Sequence, residues 1–318
     1  MEDVRDLVII GSGPSGYSAA IYTSRAEINT LLISGPEVGG QLTTTTEVEN
    51  YAGFAEGIQG PELMEEMKRQ AARFGTEYMT GMVTSCVFSD DPETTPHVLT
   101  VDESTEVKAR TVIIATGASA KYLGLESETT FRGKGISACA TCDGYFFKGK
   151  DVIVVGAGDV AMEETVFLSK LCNSVTVLVR GDQESMKASK VMQKRALGMK
   201  NVTFLFNTEA DEFLGDDLLS GVRVKNNQTG ETQELAIQGA FIAIGHKPNS
   251  DAFVGSGVEI DEKGYIHPVD QSNSMETNKK GVYVAGDIND YKYRQAITAA
   301  GEGCMAALDA ERYLSSLE

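Results

Sequence analysis

The chain has 318 residues and a formal net charge of −18, with 28 Lys and Arg against 46 Asp and Glu. That length holds two ordinary domains with a sizeable core in each, and a hydrophobic share of 42% belongs to a globular chain, not a disordered or fibrous one. The acidic balance argues against a phosphate-backbone clamp, which relies on clustered Lys and Arg, so no nucleic-acid partner is expected. No apolar run approaches the roughly 20 residues of a bilayer span, and Met1 leads into a strand without a basic-then-apolar leader. A soluble, cytoplasmic protein with no membrane association is the expectation.

In chain order, the first element is an apolar β-branched run, Asp6-Leu7-Val8-Ile9-Ile10, which breaks into Gly11-Ser12-Gly13-Pro14-Ser15-Gly16 and a helix to about Arg25. A second strand, Thr30-Leu31-Leu32-Ile33, follows. Thr111-Val112-Ile113-Ile114-Ala115-Thr116-Gly117 is a buried-strand run ended by glycine. The pattern then restarts with Asp151 to Val155, Gly156-Ala157-Gly158-Asp159-Val160-Ala161, a helix to about Leu171 and a strand from Val175 to Val179. Ala240-Phe241-Ile242-Ala243-Ile244-Gly245 closes this unit, and a strand from Gly281 to Ala285 leads through Gly286-Asp287 into a helix from about Gln295 to Leu314. Glycine-ended strands make good crossings between domains. The expected fold is α/β, with two Rossmann-like three-layer dinucleotide-binding domains, the second inserted into the first. Residues 1–117 and 246–318 form one, and residues 118–245 the other.

Gly11, Gly13 and Gly16 fit the dinucleotide fingerprint, in which a tight turn and a helix N-terminus hold a pyrophosphate through backbone N–H groups. The strand that follows ends at Ser34, where many such sites carry an acid for the ribose. Gly156, Gly158 and Ala161 form the variant fingerprint with alanine at the helix–strand contact. Two dinucleotides in one chain suggest a flavin and a nicotinamide. The strand after the second fingerprint ends in Arg180 rather than an acid, with Lys187 and Lys190 close behind. Cations there suit the 2′-phosphate of NADP; a solvated basic turn is the plainer alternative.

Ser137-Ala138-Cys139-Ala140-Thr141-Cys142-Asp143-Gly144 carries the expected chemistry. Two thiols separated by two residues can close a disulfide at the start of a helix, where the dipole and exposed N–H groups stabilise a thiolate, and such a pair shuttles two electrons. Five cysteines are too few and scattered for a secreted scaffold, and Cys86, Cys172 and Cys304 read as buried thiols. Zinc would need two more ligands, and neither these cysteines nor His97, His246 and His267 show paired spacing, so no metal is expected. Asp143 follows the pair directly, and a desolvated carboxyl there can serve as proton donor and acceptor, or simply cap the turn.

These residues resemble the low-molecular-weight, bacterial-type thioredoxin reductases over essentially the whole chain. The match includes Gly11 to Gly16, Gly39-Gly40-Gln41-Leu42-Thr43-Thr44-Thr45-Thr46-Glu47-Val48-Glu49-Asn50, Ala115-Thr116-Gly117-Ala118 and Ala138 to Gly144. It also takes in Ala285-Gly286-Asp287, Tyr293-Arg294-Gln295-Ala296 and Gly303-Cys304-Met305-Ala306-Ala307. The resemblance implies FAD held by the first fingerprint with Ser34, Gly35, Gly40, Gln41, Leu42, Asn50, Ala115, Thr116, Gly117, Gly286, Asp287, Arg294, Gln295 and Ala296. It places the nicotinamide nucleotide at Gly156, Gly158, Asp159, Val160, Ala161, Arg180, Lys187 and Gly245. A homodimer and thioredoxin as partner are implied as well. One stretch departs from the family. Where it usually has His-Arg-Arg-Asp and then a further Arg, this chain reads Val179-Arg180-Gly181-Asp182, with Lys187 after a two-residue insertion. One cation of the pair is missing, and lysine lacks the planar fork of arginine.

The expected reaction carries electrons from NADPH, with NADH as the alternative donor, through FAD to the Cys139–Cys142 disulfide and on to thioredoxin. The cysteines share the inserted segment with the nicotinamide site, yet both serve one flavin, so hinge motion about the crossings near Gly117 and Gly245 is expected. The rivals are a same-fold flavoenzyme that ignores nicotinamide, either ferredoxin-fed or a dithiol oxidase, and a redox-sensing flavoprotein without turnover.

Overall fold

The structure is a computed structural model and describes residues 4–45 and 47–317. Met1 and Thr46, both in stretches singled out above, lie outside them. The chain divides into two compact units, Met1–Ser119 with Lys247–Glu318, and Ala120–His246.

The first unit is built on a seven-stranded sheet. Val4–Ile10 lies between Thr30–Ile33 and Thr105–Ile114, all parallel, with Glu77–Met79 beyond Thr30–Ile33. Thr105–Ile114 also pairs in parallel with Val282–Val284, so the late strand returns beside the early ones. His97–Val101 and Val83–Val87 continue the sheet as antiparallel strands. Side chains alternate across a strand. Leu7, Ile9, Leu32 and Ile113 therefore face the helices, packing with Tyr17, Ala20, Met64 and Ala306, while Val8, Ile10, Ile33 and Ile114 pack with Phe88, Phe253 and Ile266 on the other face. Burial on both faces explains why these strands read as continuous apolar runs.

The second unit has a five-stranded parallel sheet in the order Ile136–Ser137, Gly239–Ile242, Asp151–Val155, Ser174–Val179, Val202–Phe206. Val152 and Val154 pack with Ala161 and Met162 of the helix Asp159–Leu168. Ile153 and Val155 pack with Phe213, Val222 and Val224 of an antiparallel three-stranded sheet that forms the third layer. The α/β class and the two three-layer Rossmann-like units match the sequence reading. Element ends differ slightly. The helix expected to reach Leu171 stops at Leu168, and the C-terminal helix spans Ala296–Ser315 with Gln295 as its N-cap. No helix among the described residues is long and apolar enough to cross a membrane.

Candidate active site

Ile136–Ser137 leads into the redox turn and sets its position, because Ser137 is in register with Phe241 of the buried strand Gly239–Ile242. Cys139 and Cys142 form a disulfide with Cα atoms 5.3 Å apart. Cys139 is the N-cap of a four-residue helix, Ala140–Asp143, and its carbonyl accepts from the N–H of Cys142 at 3.3 Å and of Asp143 at 3.1 Å. The Ser137 hydroxyl accepts from Cys139 N at 3.0 Å. Ala140 N–H donates to Glu164 Oε1 at 3.3 Å.

These contacts correct one expectation. The pair does not head a helix with free N–H groups and a substantial dipole. The helix is one turn, followed by the 3₁₀ turn Gly144–Phe147, and three of its N–H groups are already bonded in the disulfide form. A macrodipole sums over aligned peptides, and a single turn supplies little of it.

Cys142 is exposed and Cys139 half-buried. Burial raises the Asp143 carboxyl above its usual range, with a Ser137 hydrogen bond acting against it. A carboxyl held this way can carry a proton beside a leaving sulfur. The remaining thiols divide in two groups. Cys86 and Cys172 are buried, and burial pushes them up to about 12 and about 11, so they do not form reactive thiolates near neutrality. Cys304 is only half-buried, unlike the expectation that placed it inside.

In the first unit the fingerprint residues meet as one cradle. Gly11 has φ +114°, and a Cβ there would collide with the Ala115 carbonyl, while one on Gly16 would collide with Gly11 O. Gly13 faces open space and N-caps the helix Pro14–Arg25 without a side-chain cap. The uncapped first turn suits a pyrophosphate, whose oxygens accept from such N–H groups. The Ser12 hydroxyl donates to Ser34 O at 2.8 Å and accepts from Gly39 N at 2.9 Å, fastening the segment from Ser34 to the fingerprint. Gly40 lies against Gly13, with its Cβ position 3.5 Å from Gly13 Cα. Leu42 sits on the 3₁₀ turn Gly40–Thr44, and Gln41 donates to Ala118 O. Asn50 Nδ2 donates to Gln295 Oε1 at 3.2 Å, joining two residues 245 apart in sequence.

Asp287 is half-buried, and its carboxyl is pushed up to about 7 by desolvation, with Asp290 and Glu302 adding and Arg294 opposing. Arg294 has φ +48°, donates to the Tyr265 hydroxyl at 2.9 Å, and has a buried Nε with no hydrogen-bond partner. An orphaned buried donor beside an acid of raised pKa fits a polar ligand such as FAD.

The second fingerprint repeats the design. Gly156 has φ +150° and approaches Ala243 O and the Ala161 methyl too closely for a side chain, and Gly158 N-caps the helix Asp159–Leu168 in open space. Gly245 has φ +102°, and its carbonyl accepts from Lys121 N at 2.9 Å. Asp159 accepts from Ser189 N at 2.8 Å and Ala188 N donates to Ala157 O at 3.0 Å, so Lys187 stands exposed beside the fingerprint. Arg180 is exposed, and its carbonyl accepts from Asn227 Nδ2 at 2.6 Å. The Asp182 carboxylate accepts from Ser185 N at 2.8 Å, which commits it to its own turn. A Cβ on Gly181 would collide with Ser185 Oγ. The inserted turn thus folds over the very position where a second arginine would stand.

Four contacts at these sites go beyond the sequence reading: Ser137 on Cys139, Glu164 on Ala140, Glu302 on Gly286 N at 2.8 Å, and Asn249, which accepts and donates with Thr116. Ser137 has a local signal, a hydroxyl two residues before the N–H it accepts from. The others depend on long-range packing.

The profile of the Pyridine nucleotide-disulphide oxidoreductase family matches residues 5–303. The chain is 48% identical over 318 residues to a thioredoxin reductase of Streptomyces clavuligerus, covering 100% of this chain and 96% of that protein. The solved structure of thioredoxin reductase from Giardia duodenalis superposes with a TM-score of 0.92 at 38% identity, covering 99% of this chain and 100% of that one. A protein of Pseudomonas fluorescens named glucosaminate ammonia-lyase is 46% identical over 316 residues, 98% of this chain and 96% of the other. Two Rossmann-like units with glycine cradles, a Cys-x-x-Cys disulfide flanked by a half-buried acid and full-length likeness converge: the chain belongs to the pyridine nucleotide-disulphide oxidoreductases, among the low-molecular-weight thioredoxin reductases.

Proposed function

We propose that the protein passes the electron pair of NADPH, by way of FAD, to the Cys139–Cys142 disulfide and from there to the disulfide of thioredoxin. The observation that carries this reading is the Cys-x-x-Cys disulfide closed over a single turn, with Asp143 desolvated beside it. An ammonia elimination moves no net electrons and leaves such a pair without a task, which favours reductase over lyase.

FAD would be held by Gly11 to Gly16, Ser34 to Leu42, Asn50, Ala115 to Gly117, and Gly286, Asp287 and Arg294 to Ala296. NADPH would be held by Gly156 to Ala161, Arg180, Lys187 and Gly245. When bound, the flavin accepts the nicotinamide hydride and supplies two electrons to the disulfide. In the reduced chain, one thiolate of the pair attacks a sulfur of the partner disulfide and forms a mixed disulfide. The leaving sulfur takes a proton, which the Asp143 carboxyl, following Cys142 in the chain and raised by desolvation, would supply. The second thiolate then attacks the mixed disulfide, closes Cys139–Cys142 again and expels the partner's other sulfur, which takes its proton from water so that the partner leaves as a dithiol. The reading includes a cytoplasmic homodimer with neither nucleic acid nor membrane as partner; sedimentation of the purified protein checks the dimer.

A second reading draws on Gly181 and its folded turn: a same-fold disulfide oxidoreductase fed by another donor, ferredoxin-linked or acting as a dithiol oxidase. Anaerobic titration with each nucleotide, followed by oxidised thioredoxin, separates the two. Bleaching by NADPH and recovery of the oxidised spectrum on adding thioredoxin is the expected result, and a flavin that neither NADPH nor NADH bleaches overturns it.

A further inference from the structure

The redox turn is seated on the helix Asp159–Leu168. Ala140 is fully buried in the same core as Ala161, Met162 and Leu168. Gly144 presses on the same helix, where its Cβ position lies 3.0 Å from Phe167 and 3.1 Å from Leu168. Ala161, Glu164 and Leu168 follow at i, i+3 and i+7 and so share a face. On that face Glu164 is the charged residue, and its Oε1 accepts from Ala140 N at 3.3 Å, one residue along the chain from Cys139.

We propose that Glu164 is a positioning residue for the Cys139–Cys142 couple: its carboxylate seats the redox turn through the Ala140 N–H and disfavours negative charge on the reduced pair. Two effects act in the same direction. The Ala140 N–H lies at the start of the turn, where it could otherwise serve a nearby sulfur, and Glu164 occupies it. The carboxylate also brings a like charge to the residue next to Cys139, in addition to the Asp143 carboxyl that follows Cys142, and like charge raises the pKa of a neighbouring acid. The consequence is a reduced pair kept in thiol form until a partner or a base engages it, which limits its reaction with adventitious electrophiles. This rests on the redox role assigned to the pair above.

The test uses the full-length, FAD-containing protein, reduced anaerobically by dithiothreitol. Reduction breaks one S–S bond and takes two electrons and two protons from the two thiols of the reagent, which close to a ring disulfide. After removal of the reagent, the rate of iodoacetamide alkylation of Cys139 and Cys142 is followed from pH 6 to 10 by peptide mass spectrometry. Glu164→Gln keeps an oxygen for Ala140 N–H but removes the charge. Its alkylation profile is expected to move about one unit toward acid. The thiolate fraction at pH 7 then rises about tenfold and the rate about threefold, since nucleophilicity falls with pKa. A profile that superimposes on the unsubstituted protein, or moves toward alkali, overturns the proposal. Glu164→Ala, which also removes the acceptor, is expected to move the same way; should it fail to fold, Glu164→Gln decides alone. Neither NADPH nor thioredoxin is present, so failure of the reductase reading shows in turnover and failure of this one in the pH profile.

Discussion

At the scale of single residues, the chemistry concentrates on three side chains. Cys139→Ser and Cys142→Ser are each expected to abolish thioredoxin reduction while leaving nicotinamide bleaching of the flavin intact, because the pair acts after the flavin; loss of bleaching in stopped flow would contradict that order. Asp143→Asn is expected to slow the dithiol step by about 10²-fold, the usual scale of general catalysis, with single-turnover reoxidation as the measurement. Arg180 is the cation at the strand end, and Gly181, beside the Ser185 hydroxyl, supplies no second one. Charge-assisted bonds to phosphate contribute about 1.5–3 kcal/mol each, so Arg180→Ala is expected to lower the NADPH:NADH ratio of kcat/KM by roughly 10- to 100-fold. An unchanged ratio would remove Arg180 from phosphate recognition.

Elements are held together where backbones approach most closely. Gly303 of the helix Ala296–Ser315 lies against the helix Pro14–Arg25, where an added Cβ would strike the Ser15 carbonyl, which no rotamer change can relieve. Gly303→Ala is expected to cost about 1–3 kcal/mol by overpacking and to loosen FAD, since Ser15 belongs to the cradle; urea melts and flavin fluorescence report both. His97 shows a second kind of constraint. It is buried in the strand His97–Val101, its Nδ1 accepts from Ser89 N at 3.1 Å, and its ring stands edge-on to Phe88. Desolvation, with Lys279 adding, lowers its pKa from 6.5 to about 4. A depressed histidine binds its proton more readily unfolded, so its contribution is complete above pH 6.5 and is lost as pH falls toward 4, about 3 kcal/mol in all. Raised carboxyls such as Asp287 act in the opposite direction over part of this window. The check is therefore a difference: His97→Leu is expected to flatten the fall in unfolding free energy between pH 6.5 and 4, and an unchanged slope would show that His97 does not titrate on unfolding.

For the whole molecule, one unit is assembled from both ends of the sequence, Met1–Ser119 with Lys247–Glu318. Its cradle joins Gly11 to Gly16 near the start with Asp287 to Ala296 near the end, and Asn50 to Gln295 closes it. The protein is accordingly expected to purify yellow, with FAD retained through gel filtration. A colourless protein that takes up no added FAD would refute the cradle. Truncation before Asp287 is expected to abolish FAD retention for the same reason.

What the sequence determined by itself was whatever depends on local spacing: both glycine fingerprints, the Cys-x-x-Cys pair with its acid, the apolar strands and the insertion of one unit into the other. Each is written in neighbouring residues, because a glycine turn, a buried strand or a two-residue gap between thiols is a local geometric demand. Tertiary structure alone decided the rest. It showed that the redox helix is a single turn with its N–H groups committed, that Asp182 caps its own turn, that Ser185 fills the space beside Gly181, and that Glu164 meets Ala140. A separation of 24 between Ala140 and Glu164 carries no spacing rule that announces their contact, which arises because the turn and the helix Asp159–Leu168 bury against the same sheet.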